Sequence, residues 1–153
     1  MKAFTKQIKS FTIYCAESGM KLMASNDKIL KALESAANYL EKSISALSSG
    51  DEDYFSEYFW HVAAELEYAI FMFSITFQEE NVDKSKWKPN PDIKKDDIHN
   101  VLDEVRSLLD NAKRLLISGK VLDAFKDVYV ARHCVFAIEE NLAKKKRERF
   151  KAK

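Results

Sequence analysis

SISALSSGDEDYF at 43–55 and AKRLLISGKVLDAF at 112–125 are two versions of one phrase, and reading them together decides the fold. Each closes a run of regularly spaced apolar residues at Ser-Gly and opens another. With Gly50 set on Gly119, Leu33 falls on Leu102, Ala36 on Val105, Leu40 on Leu109 and Leu47 on Leu116. Steps of three, four and seven residues put these side chains on one stripe of a helix. Glycine suits the left-handed position just past a helix end, where a Cβ is strained. Downstream, dropping one residue sets Val62 on Val130, Ala63 on Ala131, Ala69 on Ala137 and Ile70 on Ile138. Each half therefore reads as a helix, a Ser-Gly turn and a returning helix. Short connections make antiparallel neighbours.

Two such hairpins bury their stripes against each other. The expected fold is all-α, an antiparallel four-helix bundle built from two helical hairpins, with an amphipathic N-terminal helix added. That helix is expected over 3–24, with Phe4, Ile8, Phe11 and Cys15 on one side and Gly19 as a kink or end. Ser25, Asn26 or Asp27 is available to cap a new helix over 27–48. The next is expected over about 52–78, with Asp51, Glu52 and Asp53 at its positive end. Residues 79–95 form a long connection, because KPNPD at 88–92 cannot continue a helix. Helices over about 96–117 and from Val121 onward complete the bundle.

The totals agree. The chain of 153 residues is 46% hydrophobic and 32% charged, a globular balance in one domain over 1–143 with a basic tail at 144–153. Three Gly and two Pro are too few for a fold of many β-hairpins. Cys15 and Cys134 both fall on apolar faces and read as buried thiols. Lysines interrupt the apolar N-terminus, unlike a signal peptide, and no apolar run reaches membrane-spanning length. A cytoplasmic protein is expected.

The segment YFSEYFWHVAAELEYAIFMFSITF at 54–77 is apolar nearly all round, as in a helix buried on more than one side. Three readings stand. The N-terminal helix covers its outer flank; or the flank is a surface for a protein partner or a second copy; or it lines a small-molecule cavity. The docking candidates are Tyr54, Tyr58, Trp60, Tyr68 and Phe71, with Trp87 in the loop, where it could equally cap the bundle.

No catalytic set or cofactor is expected. The chain has no Gly-rich phosphate loop, no H-E-x-x-H and no G-x-S-x-G. A di-iron bundle needs Glu-x-x-His on two helices. Glu57 and His61 are four apart, and Asp96-x-x-His99 has no twin, so no metal site is expected.

The tail KKKRERFKAK carries seven basic residues and one acidic. Removing these from the chain totals of 25 and 24 leaves 18 basic and 23 acidic, an acidic body with a net charge of −5. A basic helix end is favoured by the helix dipole and usually just solvated. Its functional reading is nucleic-acid binding through Lys144, Lys145, Lys146, Arg147, Arg149, Lys151 and Lys153, with Phe150 stacking on a base.

The second hairpin, AKRLLISGKVLDAFKDVYVARHCVFAIEENL, resembles that of the HEPN superfamily over about 40 residues, through Ala112, Leu115, Leu116, Gly119, Ala124, Ala131 and Ala137. The resemblance implies a small helical bundle of the kind found in prokaryotic toxin–antitoxin systems. Nucleolytic members carry Arg with His four to six residues later. Here Arg106, Arg114 and Arg132 lack such a His, and Arg132-His133 are adjacent. What the resemblance implies for this chain is a non-catalytic bundle that binds a partner or nucleic acid, with an HEPN-type RNase as the remaining alternative.

Overall fold

The structure is a computed structural model. It describes the backbone of residues 2–77, 82–91 and 97–152, and within these ranges the side chains from residue 25 onward. Phe4, Ile8, Phe11, Cys15, Gly19, Asp96 and Lys153 therefore lie outside the described side chains, and so does part of the 79–95 connection. Four α-helices are present: α1 (Lys2–Ser48), α2 (Glu52–Thr76), α3 (Ile98–Ile117) and α4 (Val121–Lys151). A short 3-10 turn occupies Lys84–Lys86, and the described residues contain no strand. None of the helices is long and apolar enough, among the described residues, to cross a membrane.

The two turns are copies. Gly50 and Gly119 have φ of 76° and 84°. In the first turn Asp51 N–H donates to Ala46 C=O (2.9 Å) and Gly50 N–H to Leu47 C=O (3.1 Å). In the second, Lys120 N–H donates to Leu115 C=O (2.8 Å) and Gly119 N–H to Leu116 C=O (3.2 Å). This is the Schellman pattern, which satisfies the carbonyls left open at a helix end. The Asp51 carboxylate also accepts from Tyr54 N–H and caps α2, whereas Lys120 gives α4 no side-chain cap.

The offset of 69 residues between these glycines holds through the returning helices as well. Phe55, Phe59, Val62, Leu66 and Ala69 on α2 correspond to Ala124, Val128, Ala131, Val135 and Ile138 on α4, and all ten are buried. No residue is dropped. Pairing Val62 with Val130 matched residue type, but burial sets the register, and Val62 and Ala131 are the pair with no exposed surface.

Helix α1 corrects a second expectation. It runs unbroken through Ser25–Asp27, so the N-terminal helix and the next are one helix of 47 residues, roughly 70 Å long. Ser, Asn and Asp cost only about 0.5 kcal/mol each inside a helix, and good helix formers flank them on both sides. One cost is visible: Asn26 Oδ1 is buried with no hydrogen-bond partner. At the other boundary α3 starts at Ile98, close to the expected position, where the Asp97 carboxylate accepts from His99 N–H (3.1 Å) and caps it.

Helix directions follow from the side-chain pairs. Ser35 bonds Glu65 and Tyr39 stacks on His61, so α1 and α2 are antiparallel. Glu52 meets Arg149, Glu67 meets Arg132 and Phe73 meets Phe125, so α2 and α4 are antiparallel. The close pairs are α1–α2, α2–α4, α3–α4 and α1–α3, a square. In chain order the helices run up, down, down, up, and the two Gly turns lie at opposite ends. A pseudo-two-fold axis across the bundle thus relates one hairpin to the other.

This topology obliges the chain between α2 and α3 to climb back along the bundle. It does so against α4. Trp87 sets its indole edge-on to Phe125 (5.1 Å) and Tyr129 (5.6 Å). Farther on, Pro89 and Asn90 border a cavity of about 170 Å³ with Val101, His133, Cys134, Ala137 and Ile138. Because α1 continues without a turn, its first residues do not return over α2. Among the described residues nothing covers the outer face of α2.

Candidate interaction surface

Seven buried residues of α2, from Phe55 to Phe73, face the core. On the opposite face stand Trp60, Ala64, Tyr68, Phe71 and Ile75, all exposed. Trp60 is 63% exposed, Phe71 60%, Ile75 49% and Tyr68 44%. From Ala64 the steps are four, three and four residues, the spacing of a seam that packs on another helix. Isolated apolar side chains on a surface need no explanation, but a row of them on one helix does.

The row extends sideways onto α4 through Phe136, which is 58% exposed. Arg132 bridges α4 to Glu67 of α2 at 3.3 Å. The pseudo-two-fold carries Glu67 to Phe136, and Phe136 follows Arg132 by one helical turn, which places it on the same α2 side of α4. Ala64, Ile75 and Phe136 were not among the residues anticipated for docking. The regular 60–64–68–71–75 spacing was the available signal for the first two.

The anticipated docking residues divide into three groups. Trp60, Tyr68 and Phe71 share the outer row. Tyr54 and Tyr58 stand on the flank toward α1, stacked on each other at 6.0 Å, with Lys42 Nζ 5.8 Å from the Tyr58 ring centroid. They line a shallow groove with Glu41, Lys42, Ser45 and Asp51. Trp87 is partly buried against the core and anchors the crossover.

The basic tail is the last part of α4. Lys144, Lys145, Lys146, Arg147, Arg149, Phe150 and Lys151 are all exposed. Arg149 forms a two-pronged pair with Glu52 at 2.9 and 3.1 Å. That hydrogen bond and the guanidinium charge hold the Glu52 carboxyl below its ordinary range. Trp60, Lys145, Lys146 and Arg149 meet along a groove of about 580 Å³, whose walls also carry Glu52, Asp53 and Glu139. With acidic and basic side chains in equal number, the groove lacks the single-sign field that concentrates a polyanion.

His133 is packed edge-on to Tyr129 at 4.8 Å. Burial, and then the neighbouring Arg132, lower its pKa from the ordinary 6.5. Burial raises the Glu139 carboxyl, and the Glu67 charge adds to this. Among the described residues no three His, Cys, Asp or Glu side chains gather closely enough to hold a metal ion. No protein family, curated protein or solved structure matches this chain.

Proposed function

We propose that this protein is a non-enzymatic docking module and that the outer face of α2, edged by Phe136, is its binding surface. The observation that carries the reading is the row Trp60, Ala64, Tyr68, Phe71 and Ile75 at helix-packing spacing, turned away from a core that is complete without it. Large side chains of this kind bury about 150–250 Å² each. Half exposed, Trp60, Tyr68, Phe71, Ile75 and Phe136 present roughly 500 Å² of apolar surface in one patch, within the size range where the largest patch on a monomer is often functional. Tryptophan and tyrosine at its centre are the residue types enriched among binding hot spots.

A photo-crosslinking residue placed at Phe71 tests this in cells that make the protein. Adducts of defined mass are expected from position 71 and not from Lys31, which is exposed on α1. Equal yields from the two positions would remove the reading.

A second reading has one observation in its favour: α4 carries Lys144–Lys151 as an exposed stretch of helix. Under it, the cations bind a nucleic-acid backbone. Fluorescence anisotropy with labelled RNA and DNA separates the two readings. Binding that weakens steeply with salt and disappears when Lys144, Lys145 and Lys146 become Gln supports the second. No binding at low salt rules it out.

A further inference from the structure

We infer that the occupant of the α2 face is a second copy of the same chain, with the two α2 helices antiparallel about a two-fold axis near Tyr68. The inference rests on the docking reading above and names the partner. Its first support is self-complementarity. With the axis between Glu67 and Tyr68, Trp60 meets Ile75 of the second copy and Ala64 meets Phe71. Both pairings repeat by symmetry. The smallest side chain of the row is therefore set against one of the largest, as knobs and holes require. No other antiparallel register uses every member of the row from Trp60 to Ile75.

The second support is electrostatic. The row from Trp60 to Ile75 carries no charged side chain. Glu67, the acidic residue nearest the axis, lies on the α4 edge of the face and is already paired with Arg132 at 3.3 Å, so it brings no unpaired charge to the interface. The third support is size. Two copies of the patch bury about 1,000 Å² in total, just under the roughly 1,200 Å² where stable interfaces begin and within the range of weak, transient ones. The expected product is a reversible dimer rather than an obligate one.

Sedimentation velocity of the full chain from about 1 to 500 μM is the test. A shift from monomer to dimer with concentration is expected. Phe71→Glu should weaken dimerisation at least about 10-fold while leaving the circular dichroism spectrum unchanged. The register is tested by exchange of large and small. Ala64→Phe alone crowds Phe71 of the second copy, Phe71→Ala alone opens a hole, and the double variant restores the pair and recovers the dimer. A control, Tyr54→Ala, leaves the dimer intact.

A chain that stays monomeric throughout overturns the inference, and so does a dimer that Phe71→Glu leaves untouched. A double variant no better than Ala64→Phe overturns the register. Crosslinks from position 71 to a different protein, with a monomeric pure chain, would leave the docking reading standing and remove the second copy as occupant.

Discussion

Trp60 and Tyr129 occupy the same place in the two hairpins, 69 residues apart, and they meet different fates. Tyr129 is partly buried under Trp87 and the crossover, with the Arg132 guanidinium 5.2 Å from its ring centroid. Trp60 touches His61 edge-on, borders the groove beside Lys145 and Arg149, and keeps 63% of its surface exposed. Below the surface the hairpins agree closely in turn geometry, burial pattern and register. They differ in what lies on top. One outer face received the connecting chain, which packs on Tyr129 and borders His133 and Ala137. The other is covered by none of the described residues, yet carries the larger apolar side chains. The inner faces account for the fold, and the outer face of α2 is the apolar surface the core does not use.

That contrast can be broken most directly at Phe125. Its ring stacks on Phe73 and Phe77 and takes the edge of Trp87. Its counterpart in the first hairpin is Ser56, which is exposed. Phe125→Ala should cost about 3–5 kcal/mol in urea unfolding, and Ser56→Ala should stay within about 0.5 kcal/mol. Similar losses at both would mean that the crossover does not close the second hairpin. The two tryptophans come next. Trp87→Ala should cost about 2 kcal/mol, as expected for a partly buried indole. Trp60→Ala, measured where the chain is monomeric, should cost less than about 0.5 kcal/mol, its effect appearing in association.

The turns sharpen the comparison from the side of likeness. A Cβ at Gly50 or Gly119 meets no atom within 4 Å, so only the left-handed backbone resists one. Gly50→Ala and Gly119→Ala should therefore each cost about 1–2 kcal/mol, and nearly equally. Unequal values would show that the turns are copies in outline only.

The smallest expected effect is at His133, whose counterpart is Ala64. Its lowered pKa means that the unfolded chain takes up a proton at pH values where the folded chain does not. Stability should accordingly fall as pH drops below 6.5. His133→Gln should flatten this part of the Tm profile between about pH 7.5 and about pH 5.5. An unchanged slope would assign the pH dependence to other groups.

The hairpins were legible because both turn glycines and both apolar stripes are local signals. Two features were not. The join at Ser25–Asp27 looked like a break because Ser, Asn and Asp favour caps, but with no Gly or Pro beside them the helix continues. The match of Val62 to Val130 followed side-chain type, while the structure matches burial, which the chain alone does not display. At the surface, the aromatic richness of α2 was plain, but which flank α1 takes was not. Tyr54 and Tyr58 were therefore grouped with Trp60, Tyr68 and Phe71. Trp87 was ambiguous until the up-down-down-up order required the crossover to climb α4.

That order bears on how the molecule assembles in time. Within each hairpin the partners are close in sequence, such as Ser35 with Glu65 and Asn111 with Asp127, 30 and 16 residues apart. Between hairpins they are distant, such as Glu67 with Arg132 and Glu52 with Arg149, 65 and 97 residues apart. Loop closure costs about 0.6 kcal/mol for each doubling of length, so local pairs close first at little entropic expense. Helical folds rich in such contacts fold fast. The contacts between the hairpins, which need the long closures, are then expected to form last. Changes at Phe125 and Trp87, which lie at that late junction, should speed unfolding more than they slow folding.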